Sequence, residues 1–177
     1  MLKSLLPASF RQQPWVRLHK TPSSMVPFPD RRLVLNNGSL TRALKQLARQ
    51  NFRVDVKFTG YGQATASEAR SMGIEPRQRV YLREVQLIVD GQVSVVARSV
   101  IPLQTLSGRE KRLLRLGNKP LGEYLFAHPH MRRGPLELKM GSGRGGQPRY
   151  ARRSVFYLSG KPLMVSEAFV AIPDLRA

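Results

Sequence analysis

Three ionisable residues, Arg83, Arg98 and Glu167, are spaced so as to fall on otherwise apolar strand faces. The run from Arg79 to Pro102, RVYLREVQLIVDGQVSVVARSVIP, reads as two β-rich segments joined by Asp90-Gly91. An Asp-Gly pair between alternating runs favours a two-residue turn, because both central positions need positive φ. Such a turn pairs Val89 with Gln92, Val85 with Val96 and Arg83 with Arg98, and puts Tyr81, Val85, Leu87, Val96 and Val100 on one face. Like charges facing across strands destabilise a hairpin, and guanidiniums on an apolar face need partners. An anion is therefore expected beside Arg83 and Arg98. Glu167 falls in phase with Leu163, Val165 and Phe169, and a buried carboxylate must be paired, hydrogen-bonded or protonated. Two readings fit: a site for a small anionic ligand, or an internal Arg83–Glu167 ion pair with no ligand. Partial solvation, or other carboxylates near the arginines, would also satisfy the charges.

Helix starts add a second set of anion-binding groups. In SLTRALKQLARQ, Leu40, Ala43, Leu44, Leu47 and Ala48 have amphipathic spacing behind Ser39 as N-cap. Pro120 opens PLGEYLF, so the N–H groups of Leu40 and Leu121 belong to first turns, where no intrahelical acceptor exists. Both leucines also suit ordinary core anchoring. Metal and nucleophile chemistry are less favoured. His128-Pro-His130 lacks a third ligand and reads as a surface turn, His19 has no evident partner, and no serine sits in a G-x-S-x-G elbow.

The remaining elements follow from pattern. Phe52, Val54, Val56 and Phe58 alternate with charged residues, predicting a half-buried strand over 52–59. TASEARSM predicts a short helix with Thr65 and Glu68 as a capping box, and Ser107 to Glu110 repeats that spacing before a helix ending at Gly117. Leu136, Leu138 and Met140 mark another strand, and SVFYL-SGKP-LMVSEAFVAI a second hairpin. GSGRGGQPRYARR reads as a basic, glycine-rich loop without P-loop order. Residues 1–37 read as an irregular N-terminal arm and 38–177 as a single α+β domain. Tight turns between strands argue for an α+β fold, a single antiparallel β-sheet with helices packed around it.

The 177 residues suit one domain with a real core. Absence of cysteine excludes disulfides and thiolate chemistry. Pro7 interrupts the only early apolar patch, and no run approaches the length of a membrane span, so a soluble, unprocessed, cytoplasmic protein is expected. Thirty Lys and Arg against 11 Asp and Glu give +19, with 22 arginines and 8 lysines. That surplus attracts anions from nucleic acid to small dicarboxylates without choosing among them.

The ordered blocks GSLTRAL, YLREVQL, DGQ, ARSVIP, TLSGREKRLLRLGNKPLGEYLF, ARRS and LSGKPLMVSEAF, from about Gly38 to Pro173, resemble the chorismate pyruvate-lyases. The resemblance implies one antiparallel sheet with helical flaps over a buried site, and elimination of pyruvate from chorismate to give 4-hydroxybenzoate on the route to ubiquinone. It matches the family's site arginine to Arg83, its final-strand glutamate to Glu167, and its ligand-contacting positions to Leu121 and Leu40, the last a methionine elsewhere in the family. Arg98 is assigned the second carboxylate or the ether oxygen. Aromatisation drives the reaction, so no cofactor or metal is implied, and a monomer without nucleic-acid partners is expected. A non-catalytic sensor of aromatic carboxylates with the same fold, and a basic nucleic-acid-binding protein, are the alternatives.

Overall fold

The computed structural model describes residues 14–18, 25–145 and 147–173. In chain order the elements are β1 (Val16–Arg17), α1 (Phe28–Val34), α2 (Leu40–Leu47), β2 (Phe52–Gln63), α3 (Ala66–Met72), β3 (Arg79–Val89) and β4 (Gln92–Pro102). Two 3-10 segments, Leu103–Thr105 and Gly108–Arg115, precede α4 (Leu121–Phe126), β5 (Met131–Arg133), β6 (Glu137–Met140), β7 (Tyr150–Leu158) and β8 (Lys161–Phe169). The strands form one antiparallel sheet of order β1-β6-β7-β8-β4-β3-β2, with β5 added to β7.

Both predicted hairpins form. Asp90 and Gly91 adopt φ 47° and 83°, and Ser159 and Gly160 adopt φ 50° and 82°, the positive values that a two-residue turn requires. The first register holds only as far as Ile88↔Val93. Ser94 is then an extra residue on β4, so Leu87 pairs with Val95, Glu84 with Arg98 and Arg83 with Ser99. Its carbonyl is not idle, since it accepts from Val170 N (2.9 Å) and Ala171 N (3.2 Å) where the chain leaves β8. Because side chains alternate with period two, a one-residue slip sends everything beyond it to the other face. Arg98, Val96 and Val100 are therefore on the face opposite Arg83, contrary to the sequence expectation. A similar irregularity at Lys57 moves Phe58 away from the face of Val54 and Val56, and β2 continues to Gln63.

On one face, α1, α2 and the Leu113–Leu125 region pack over the sheet. Leu33, Val34, Leu40 and Leu44 meet Val85, Leu87 and Phe169, while Leu113, Leu121 and Leu125 meet Tyr81, Phe156 and Leu163. The other face is covered by α3, whose Ala69 and Met72 meet Leu82, Val100 and Met164. The cap of α3 has the predicted capping box with Thr65 and Glu68, and Ser39 Oγ caps α2 by accepting from Arg42 N (3.2 Å).

Three local expectations change. Part of the arm expected to be irregular is helical: Pro29 lies in the first turn of α1, where proline is tolerated, and Leu33 and Val34 are fully buried. The Ser107–Glu110 capping box does not form. Ser107 Oγ donates to Gln104 O (3.0 Å) and Glu110 faces His128 Nε2 (3.1 Å), so both side chains are engaged elsewhere and the segment is 3-10 rather than α. Tyr150 to Arg153 belong to β7 rather than to the glycine-rich loop.

Asp90 also ties the first hairpin to the end of the α2 region, accepting from the backbone N–H groups of Arg49 (2.9 Å), Asn51 (3.0 Å) and Gln50 (2.8 Å), which hold its pKa below the ordinary value. A depressed folded-state pKa gives stabilisation that is complete above the unfolded value of about 3.9 and is lost as the pH falls below it. Asp90→Asn keeps turn-compatible chemistry, so it should lower the melting temperature at neutral pH by an amount that shrinks towards about pH 2. Thermal unfolding across that range checks this, and a gap that stays constant on acidification contradicts it.

Candidate active site

Two cavities flank the sheet. The first, about 50 Å³, lies between the sheet and the helices α2 and α4. Its floor is made of small residues on central strands, Ala97 and Ser99, with Val85 and Val165 beside them. Leu40, Leu121, Gly122 and Leu125 form its roof. The two helices approach closely because Gly122 lacks a side chain; a Cβ there would lie 3.1 Å from Thr41 Oγ1. Lys45 and Glu123 form an exposed ion pair across the same junction.

Four charged residues line this cavity: Arg83, Arg133, Arg152 and Glu167. Arg83 on β3 is only 3% exposed. Its Nη2 donates to the carbonyls of Gly117 and Lys119, both at 2.9 Å, in the loop leading to α4. Burial lowers its pKa. Arg152 on β7 is 1% exposed. Its Nε donates to Glu167 Oε2 (2.6 Å), and its Nη1 donates to the carbonyls of Leu33 (3.0 Å), Val34 (3.2 Å) and Asn36 (2.8 Å), holding the end of α1. Arg133 on β5 donates from Nε to Ser154 Oγ (3.0 Å) and from Nη1 to Asn37 O (2.8 Å). Burial first, and the neighbouring Arg152 second, bring its pKa down to about 10, leaving it cationic at neutral pH.

Three guanidiniums against one carboxylate leave an excess of two positive charges. Arg83 and Arg133 have no carboxylate partner among the described residues. The carbonyls and the Ser154 hydroxyl take only part of their hydrogen-bonding capacity and do not cancel their charge, so the cavity favours anions.

The second cavity, about 1190 Å³, lies on the opposite face beside α3 and contains Arg98. It is larger and is also lined by two more cations than carboxylates, but Arg17 and Arg70 among them are exposed, and its two buried arginines are held by carboxylates. Arg98 donates from Nε to Glu68 (2.9 Å) and from Nη1 to Glu84 (2.7 Å). Arg153 donates from Nε to Glu137 (2.6 Å) and from its terminal nitrogens to Ser67 and Ser71, both at 2.9 Å. The smaller cavity, where Arg83 and Arg133 have no carboxylate partner among the described residues, is the stronger candidate.

The structure thus brings together four residues expected from sequence, Leu40, Arg83, Leu121 and Glu167, and separates Arg98 from them. The role given to Arg98 depended on a cross-strand Arg83–Arg98 pairing that the bulge at Ser94 removes. The internal Arg83–Glu167 ion pair is also absent: Glu167 pairs with Arg152. Sequence reasoning missed Arg152 although the signal was present. Carrying the Ser159-Gly160 turn backwards puts Arg152 directly opposite Glu167, as observed. Arg133 carried no comparable signal. No group of three or more metal-ligating side chains gathers among the described residues, and no helix among them is long and apolar enough to cross a membrane.

Comparison with known proteins identifies the family. The family profile described as chorismate lyase matches residues 12–175. A probable chorismate pyruvate-lyase of Marinobacter nauticus is 44% identical over 140 residues, which is 78% of this chain and 74% of that protein. One from Methylococcus capsulatus is 39% identical over 149 residues, covering 77% and 91%. The chorismate pyruvate-lyase of Hamiltonella defensa is 35% identical over 144 residues, covering 80% and 78%. Among solved structures, PhnF from Mycobacterium smegmatis aligns with a TM-score of 0.54 at 15% identity, covering 76% of this chain and 64% of that one; this likeness shows the fold alone. With a profile match along almost its whole length and relatives above one-third identity, the chain belongs to the chorismate lyase family.

Proposed function

We propose that the protein is a chorismate pyruvate-lyase whose reaction takes place in the smaller cavity between Arg83 and Glu167. The observation that carries this reading is a cavity offering uncompensated guanidinium charge on one side and a carboxylate on the other, over a floor of small residues. Chorismate presents a ring carboxylate and, across the ring, a C4 hydroxyl, with an enolpyruvyl ether at C3.

Arg83 takes the ring carboxylate. Its Nε and Nη1 have no hydrogen-bond partner among the described residues, while Nη2 stays on the 117–119 loop. The backbone N–H groups of Leu40 and Leu121, in first helical turns, complete the carboxylate's hydrogen bonds. Glu167 accepts from the C4 hydroxyl through Oε1, since Oε2 is held by Arg152. Breaking the C3–O bond with loss of the C4 hydrogen aromatises the ring. That hydrogen moves to the methylene of the departing enolpyruvyl group, giving pyruvate and 4-hydroxybenzoate with all atoms accounted for. In this scheme the protein orients the ether for that transfer and stabilises the charge that develops on its oxygen. A cavity of about 50 Å³ is smaller than the ~300 Å³ at which small-molecule sites begin, so α2 and α4 move outwards to admit substrate.

Mixing pure protein with chorismate and following 4-hydroxybenzoate by its ultraviolet absorbance tests the reading. Turnover supports it, and a protein that binds aromatic carboxylates without turning chorismate over is instead a sensor. Salt-dependent nucleic-acid binding without turnover would support the third reading. Arg83→Ala should lower kcat/KM by about 100-fold, the worth of a charge-assisted hydrogen bond of up to 3 kcal/mol, while leaving a folded protein. Loss of the fold would show that Arg83 is structural. Glu167→Gln should retain turnover within about tenfold, because orientation needs an acceptor rather than a base. A loss nearer the ~10⁴-fold limit for general acid–base catalysis would show that Glu167 transfers the proton.

A further inference from the structure

The bulge at Ser94 leaves one question about the substrate unanswered. Chorismate carries two carboxylates, and Arg98, expected to hold the second, faces the other side of the sheet, neutralised by Glu68 and Glu84. On the cavity side, Arg83, Ser99, Val165 and Ser154 form one row across β3, β4, β8 and β7. Arg133 reaches the far end of that row through its bond to Ser154 Oγ (3.0 Å). The backbones of Arg83 and Ser154 are separated by three strand spacings, about 14 Å. Val85, Ala97, Glu167 and Arg152 form the next row. The cavity therefore has a cation at each end and Glu167 between them.

Arg133 is suited to a ligand in three further ways. It has no carboxylate partner among the described residues, its Nη2 makes no hydrogen bond there, and its guanidinium lies over the Phe156 ring, 5.1 Å from the centroid. The excess of two positive charges equals the charge of a dicarboxylate.

We infer that Arg133 binds the carboxylate of the substrate's enolpyruvyl group, so that Arg83 and Arg133 hold the two ends of the dianion. The inference rests on the activity proposed above. It gives Arg133 a role that distinguishes substrate from product, because 4-hydroxybenzoate keeps only the ring carboxylate.

The test is to compare chorismate turnover with 4-hydroxybenzoate binding in Arg133→Met and Arg133→Lys, alongside the parent protein. Arg133→Met should raise KM for chorismate by about 30-fold while the Kd for 4-hydroxybenzoate changes by less than about threefold. Arg133→Lys keeps the charge and should recover part of that loss; it also serves if the methionine variant does not fold. Equal weakening of chorismate and 4-hydroxybenzoate in the folded variants would mean that Arg133 only anchors the 36–37 loop, overturning the inference. An unchanged KM would overturn it too, with the lyase activity intact. Absence of turnover in the parent protein would overturn the proposed function itself, and this inference with it.

Discussion

A guanidinium buried against a sheet must be hydrogen-bonded, but the choice of acceptor decides what remains of its charge. Arg152 divides itself between Glu167 and three carbonyls at the end of α1. That arrangement joins β7, β8 and the first helix, and fixes the glutamate where the cavity needs it. Arg83 and Arg133 go further, taking their hydrogen bonds among the described residues from backbone carbonyls and one hydroxyl. Dipoles meet part of the geometric demand while leaving net positive charge in a place of low dielectric, where an anion gains most. The carbonyls belong to the loops that lead into α2 and α4, so the groups proposed to hold substrate also hold the roof.

The opposite face uses the same residue type for a different purpose. Arg98 sits between Glu84 and Glu68, and Arg153 joins Glu137 to the hydroxyls of α3. Those pairs cancel charge and tie α3 and β6 to the sheet. Breaking such a pair is costly even when forming it gains little. Two arginines adjacent in sequence, Arg152 and Arg153, thus serve different faces because a strand alternates its side chains.

Much of the fold was legible because local chemistry governs it. Ser39 and Thr65 cap helices where their spacing indicated, and the Asp90-Gly91 and Ser159-Gly160 turns sit where a glycine can take the positive φ that a two-residue turn requires. Glu167 was readable as an unusual carboxylate from period two alone. What failed was register at a distance. The extra residue at Ser94 leaves no signature in the alternation around it, because Val93, Val95 and Val96 suit either face, yet it decides which side Arg98 occupies. The helix at 28–34 was hidden by prolines that are harmless in a first turn, and the start of β7 by arginines whose partners lie far away in sequence. Arg133 could not be singled out among 22 arginines, since its neighbours Ser154, Phe156 and Asn37 come from distant segments.

The central claim is that the smaller, charged cavity, rather than the larger groove, receives the ligand. A crystal structure with 4-hydroxybenzoate tests it most directly. The ring should lie over Ala97 and Ser99, with the carboxylate on Arg83 and the hydroxyl on Glu167. Product bound instead beside Arg98, Glu68 and Glu84 would contradict it.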